Sequence, residues 1–295
     1  MRVFVTGATG FVGSAVVQEL IDAGHRVLGL VRSDASAEAL ARTGAEVHRG
    51  SIDDLDGLRA GAAACDGVIH TAFDHDFSRF AENCRRDRVA IEAMGEALAG
   101  SSRPLVVTTG LAMAVQGRLG QESDACLPVS EGYARASEPT ALALAERGIH
   151  ASVVRLPPTT HGAGDHGFVP ILIDLARRTG RSAYVGDGMN AWSATHRRDA
   201  AVVFRRAVET AEAGARWHAV AEESIPFKDI AAAIGEGLGV PLARLDGDEA
   251  AAHFGWFSKF AGMTLAASSA KTRAALGWTP RQPTLAQDLA DAGYF

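Results

Sequence analysis

The sequence predicts an α/β fold, a doubly wound parallel sheet followed by a smaller, partly helical C-terminal region. Three observations lead there. Short β-branched runs alternate with amphipathic helical patterns through the first half of the chain. A glycine-rich loop joins the first run directly to the first helical pattern. The 295 residues are 47% hydrophobic and 22% charged, which supplies a sizeable core and excludes a disordered chain.

The strand-like runs lie at 3–6, 26–31, 45–48, 67–71, 105–109 and 152–156. Between the first two, Val16, Val17, Leu20 and Ile21 recur at helical spacing and leave Gln18, Glu19 and Asp22 on the other face. Repeated strand, helix, strand units make a parallel sheet, because a parallel neighbour needs a long crossover. After Leu156 the texture changes to Pro157, Pro158, His161, Gly162, Gly164 and Gly167, a loop-rich stretch. Residues 1–156 therefore read as the main α/β region and 157–295 mainly as a less regular C-terminal region, with runs at 183–185 and 217–220 expected to return to the sheet.

A formal net charge of -6 argues against a nucleic-acid partner. Cys65, Cys84 and Cys126 are odd in number and widely spaced, so neither a disulfide framework nor a metal site is expected, and a reducing cytoplasm fits. The apolar opening is too short and glycine-broken for a leader or a spanning helix, so no membrane is expected. A small-molecule substrate and a monomer or homodimer complete the expectation.

The loop reads Gly7-Ala8-Thr9-Gly10-Phe11-Val12-Gly13, at a strand-to-helix turn. Glycine at 7 and 10 lets the backbone turn and approach a pyrophosphate, the helix start offers free N–H groups, and glycine at 13 permits close helix packing. Thr9, Phe11 and Val12 share that cradle. At the end of the second run an acidic residue selects a ribose hydroxyl and an arginine selects a 2'-phosphate. Arg32-Ser33 stands there, favouring NADP, with NAD the alternative. Ser51 and Ile52, after the third run, are placed for the adenine, while Asp53 reads equally as a helix cap.

In these motifs the chain resembles the extended branch of the short-chain dehydrogenase/reductase superfamily, including epimerase/dehydratase-like proteins. Further residues carry the resemblance over nearly the whole length: Val68-Ile69-His70-Thr71-Ala72, Arg155-Leu156-Pro157-Pro158-Thr159-Thr160-His161-Gly162, Val185-Gly186-Asp187-Gly188, His196-Arg197-Arg198-Asp199-Ala200 and Leu276-Gly277-Trp278-Thr279-Pro280. It implies a Rossmann-type dinucleotide-binding sheet over 1–156, a nicotinamide cofactor touched by Thr71, Ala72, Thr108, Thr109, Leu156 and Pro157, and a mainly substrate-binding region over 157–295. It also implies a catalytic serine or threonine with a tyrosine followed four residues later by lysine. Tyr133 occupies the tyrosine's place on the matching helix, but Ser137 stands where lysine is expected, and the only lysines are Lys228, Lys259 and Lys271. The serine positions hold Gly110 and Ala112.

Two groups therefore compete for proton transfer. Tyr133, lacking a nearby cation, keeps a pKa of about 10 and suits an acid more than a base. His75, at the carboxyl end of the fourth run, has Asp74 and Asp76 beside it to raise its pKa. His161, Phe168 and Trp192 are expected at the substrate, with His166, Phe254, Trp256 and Phe257 nearby. The reading is an NADP(H)-dependent oxidoreductase acting on a small carbonyl or imine-like compound. A regulatory dinucleotide sensor and a sugar-nucleotide epimerase or dehydratase are the alternatives, the last weakened by the missing base.

Overall fold

The computed structural model describes every residue except Ala114, Gln116 and Ala292. The first half alternates strand and helix: β1 (Arg2–Thr6), α1 (Phe11–Asp22), β2 (Arg26–Val31), α2 (Asp34–Ala41), β3 (Glu46–Arg49), α3 (Leu55–Ala63), β4 (Gly67–His70), α4 (Phe80–Leu98), β5 (Leu105–Gly110), α5 (Ser137–Glu146) and β6 (Ala151–Leu156). The second half is less regular. It runs through β7 (Thr159–His161), α6 (Phe168–Thr179), β8 (Ser182–Val185), β9 (Ala191–His196), α7 (Arg197–Thr210), β10 (Arg216–His218), β11 (Glu222–Pro226) and α8 (Phe227–Leu238). It ends with β12 (Leu242–Leu245), α9 (Gly247–Phe254), α10 (Ser258–Ala261), α11 (Ala270–Leu276) and α12 (Leu285–Asp291).

Seven parallel strands form the main sheet in the order β10-β6-β5-β4-β1-β2-β3. Both faces are covered, so side chains alternate between two cores: Val3 and Val5 pack toward α1 and α7, Phe4 toward α3 and α4. The order reverses at β1, whose neighbours are β2 and β4, and a crevice opens there at the carboxyl ends of the strands.

Of the two late runs, only one returns. β10 joins the main sheet beside β6, and α7 packs on α1, so the second half completes the first. The run at 183–185 does not: as part of β8 it pairs with β12 in a separate two-stranded sheet, because its side chains serve the C-terminal core with Val169, Ile173, Phe227 and Ile234. β7, β9 and β11 make a third small sheet.

Candidate functional site

At the reversal point the glycine loop is sterically fixed. Gly7 has φ of +67°, and a Cβ on it would lie 2.7 Å from the Ala72 amide nitrogen. A Cβ on Gly13 would sit 2.0 Å from the Gly7 carbonyl oxygen. Gly10 differs: it caps α1 in extended backbone, is exposed, and a Cβ there meets only the Gly7 oxygen at 3.2 Å. No side chain caps α1 and its first turn holds no acidic residue, so the Phe11, Val12 and Gly13 amides face the groove with the positive end of the helix dipole. Exposed Thr9 borders the same mouth. Arg197 crosses from the C-terminal half, over the Phe11 ring at 5.0 Å.

On the β2–β3 side, exposed Arg32 makes no hydrogen bond or ion pair with a described residue. Its neighbours are engaged: Ser33 caps α2 by accepting from the Ser36 amide, and Asp34 pairs with Arg49. Ser51 accepts from the Asp53 amide, and Ile52 packs on the core below. The cap of α3 is Asp54, not Asp53; Asp53 instead binds Arg86 through both oxygens.

On the β4–β5 side, Thr71 donates to the Thr6 carbonyl and Ala72 closes on Gly7. Thr108 donates to the His70 carbonyl, Thr109 is buried, Leu156 ends β6 and Pro157 follows it. Gly110 is exposed with open space where a side chain would be.

Tyr133 is not on a helix. α5 starts at Ser137, and Tyr133 exchanges backbone hydrogen bonds with Ser130 in the preceding loop. Pro139 explains this: in a helix its ring would strike the carbonyl of Arg135, four residues back, so the helix begins beyond that residue. The loop also brings Arg135 near Tyr133, so the tyrosine, expected to lack a cation, has one nearby. Burial pushes the Tyr133 phenol up to about 12 rather than leaving it at its ordinary value, and the charge of Arg135 opposes that rise. The Tyr133 hydroxyl bonds no described residue.

Arg135 stands on a buried polar chain that sequence reading did not find. Register sets Thr6 beside His70, and α4 brings Asp87 beneath them. Thr6 Oγ1 lies 2.7 Å from His70 Nδ1, His70 Nε2 lies 3.0 Å from Asp87, Ser137 donates to the other Asp87 oxygen at 2.5 Å, and Arg135 Nε donates to Ser137 Oγ at 2.6 Å. The tautomer with a proton on Nε2 satisfies each group. Burial pushes Asp87 up, but Arg135, His70 and Ser137 outweigh it and hold the carboxyl below its ordinary range.

His75 lies on the surface between Phe73 and Phe77. Its pKa is lowered, not raised: partial desolvation of the exposed ring by the groups packed around it, together with Arg135, outweighs Asp74, which is drawn to Arg86, while Asp76 caps Ser78. Half-buried Phe168 packs with Phe77, Phe257 and Phe260. His161 and Trp192 are wholly enclosed, the first bonded to Asp288 at 2.6 Å and the second edge-on to Phe227, so the aromatic wall facing solvent falls to Phe77 and Trp256, stacked at 5.0 Å. His166 meets the Phe11 ring edge at 5.7 Å. Phe254 and Phe257 belong to the C-terminal core.

The model of the NAD dependent epimerase/dehydratase family matches residues 3–220, the span from β1 through β10. The chain belongs to this family. An uncharacterized protein of Schizosaccharomyces pombe is 49% identical over 296 residues, covering 100% of both chains. A 2-alkyl-3-oxoalkanoate reductase of Stenotrophomonas maltophilia is 29% identical over 262 residues, 82% of this chain and 77% of that one. Among solved structures, a nucleoside-diphosphate-sugar epimerase of Pseudomonas aeruginosa is alike in fold, with a TM-score of 0.80 at 20% identity over 100% of this chain and 99% of that one. No helix among the described residues is long and apolar enough to cross a membrane.

Proposed function

We propose that this member of the family is an NADP(H)-dependent oxidoreductase that transfers a hydride to or from a small carbonyl or imine-like compound. The observation that carries the reading is the cradle at the start of α1: uncapped amides, an exposed Gly10 and a fixed Gly7–Ala72 contact fit a pyrophosphate. Gly7, Thr9, Gly10, Phe11, Val12 and Gly13 would hold it, Arg32 and Ser33 the 2'-phosphate, Ser51 and Ile52 the adenine, and Thr71, Ala72, Thr108, Thr109, Leu156 and Pro157 the nicotinamide half. A bound nicotinamide supplies or takes the hydride.

The chain's own residues do the rest. Tyr133, protonated at neutral pH, gives a proton to the carbonyl oxygen as hydride reaches the carbon, and water restores it. His75 is the second candidate for that proton, its site bordered by Phe73 and Phe77. Phe168, with Trp192 packed against it, backs the substrate region, which we assign to residues 157–295 and to which enclosed His161 contributes only through the structure beneath. Beyond the end of β5, Leu111, Met113, Val115, Thr264, Leu265 and Ala266 line a small, shallow concavity. The three free cysteines suit a reducing compartment.

Titration with NADPH and NADH, followed by a carbonyl panel read by loss of reduced-nicotinamide absorbance, tests the reading. Binding with turnover is expected. Binding without turnover on any carbonyl supports the alternative, a dinucleotide sensor, which the glycine at 110 and the serine at 137 favour.

A further inference from the structure

Strand order decides which residues meet each half of a dinucleotide. With its pyrophosphate at the start of α1, one half lies over β2 and β3 and the other over β4 and β5. Arg135 belongs to the second half, since its Nη2 donates to the Thr108 carbonyl of β5 at 3.3 Å. Nε is fixed by Ser137, and the guanidinium carbon sits 3.7 Å over the Phe73 ring. Nη1 bonds no described residue.

A long cationic side chain held at three points is costly to order unless its position matters. The chain beneath it runs through Ser137, Asp87 and His70 to Thr6, which leads into the glycine loop, so the cation and the pyrophosphate cradle share one rigid frame. Asp87 is fully buried behind Ser137, leaving the guanidinium as the nearer charge to the groove.

We propose that Arg135 is the fixed cation of the nicotinamide half-site and that it makes the protein favour the reduced cofactor over the oxidised one. The proposal rests on the dinucleotide reading above. A guanidinium is permanently charged, and the oxidised nicotinamide ring carries a positive charge that reduction removes. Repulsion across a partly enclosed groove therefore penalises the oxidised form alone. The same residue gives the site a positive charge where the family's lysine is missing, two positions ahead of Ser137 in the chain.

Fluorescence titrations with NADPH, NADP+ and 2'-phospho-ADP-ribose, which lacks the nicotinamide, test it. The native protein is expected to bind NADPH at least about fivefold more tightly than NADP+. Arg135→Met should bring that ratio to about one while 2'-phospho-ADP-ribose binds unchanged, and Arg135→Lys should keep the preference. Ser137→Ala, which frees Nε, should lower the ratio by about twofold, and it decides the matter should Arg135→Met not fold by circular dichroism. Equal binding of the two cofactor forms by the native protein, or a ratio that survives in a folded Arg135→Met, overturns the assignment while leaving the dinucleotide site standing. Failure of the native protein to bind any of the three overturns the dinucleotide reading and the assignment with it.

Discussion

Arg32 is the residue on which cofactor choice turns. It follows β2 with no described partner, while Asp34 is spent on Arg49. A glutamate there repels a 2'-phosphate and accepts from a ribose hydroxyl, so Arg32→Glu should weaken NADPH binding by about tenfold or more and reverse the preference over NADH. Equal affinities in the native protein contradict NADP selection, and an unaltered preference in the variant removes Arg32 from it. Tyr133 is the other residue with a sharp expectation. With its phenol pushed up to about 12 by burial, it holds its proton at neutral pH and suits an acid. Tyr133→Phe should slow single-turnover hydride transfer by about 10- to 100-fold, below the roughly 10²- to 10⁴-fold share of a committed general acid, with NADPH affinity unchanged. An unaltered rate makes Tyr133 a packing residue and turns attention to His75. Both residues are proposed because each stands at a set distance from a motif, although the helix expected to carry Tyr133 begins only at Ser137. Asp87 is not: Arg85-Arg86-Asp87-Arg88 reads as a solvated charged face, and only the packing of α4 under β4 buries the carboxylate beside His70.

The strand–loop–helix element at the start of the chain separates folding from binding within one motif. Gly13 is there for packing, since any Cβ would collide with the Gly7 carbonyl, and Gly13→Ala should destabilise the fold by several kcal/mol, about the upper range for single substitutions. Gly10 is exposed in extended backbone that any residue adopts, and a Cβ there meets the Gly7 oxygen at 3.2 Å, a tight contact that asks for a small adjustment of the loop. Gly10→Val should leave circular dichroism almost unchanged and lower stability by about 1 kcal/mol, from the poorer helix cap and the tight Gly7 contact, while NADPH affinity falls by about 100-fold or more, because the branched side chain fills the space of backbone approach. Undiminished binding in the folded variant would make the loop a structural turn only. Elements were legible wherever periodicity was long, as in β1, α1 and β2. The start of α5 was not, although its signal is in the sequence: Pro139 forbids a helix through Arg135, and family spacing alone had carried the helix back to Tyr133.

At the scale of the whole molecule, sequence pattern reaches the parallel sheet because its strands are buried on both faces and read as apolar runs, whereas the C-terminal sheets are short and their partners distant. β8 finds β12 about sixty residues away, a pairing no local pattern announces. The same half holds buried histidines that tie distant segments: His161 binds Asp288 of α12, His196 lies against that carboxylate at 3.9 Å, and His218 spans Arg155 and the Ser268 carbonyl. Burial lowers all three from 6.5, against the upward pull of Asp288 on the first two and of the Ser268 carbonyl on the third. The unfolded chain therefore takes up these protons first. Their contribution to stability is full above the unfolded value of 6.5 and is lost as pH falls toward the folded values. Asp165 and Glu222, whose pKa values burial raises, act in the opposite sense: the folded protein takes up their protons ahead of the unfolded chain, beginning at the raised folded values, and this offsets part of the loss that the three histidines cause. Each unmatched proton costs about 1.4 kcal/mol per pH unit, so the urea midpoint should drop clearly between about pH 7.5 and pH 5.5. His161→Gln, which cannot take up the proton in either state, should flatten that slope relative to the native protein at the cost of lower stability at neutral pH. A native midpoint that stays level across this range would mean that the folded protein charges these histidines as readily as the unfolded chain does.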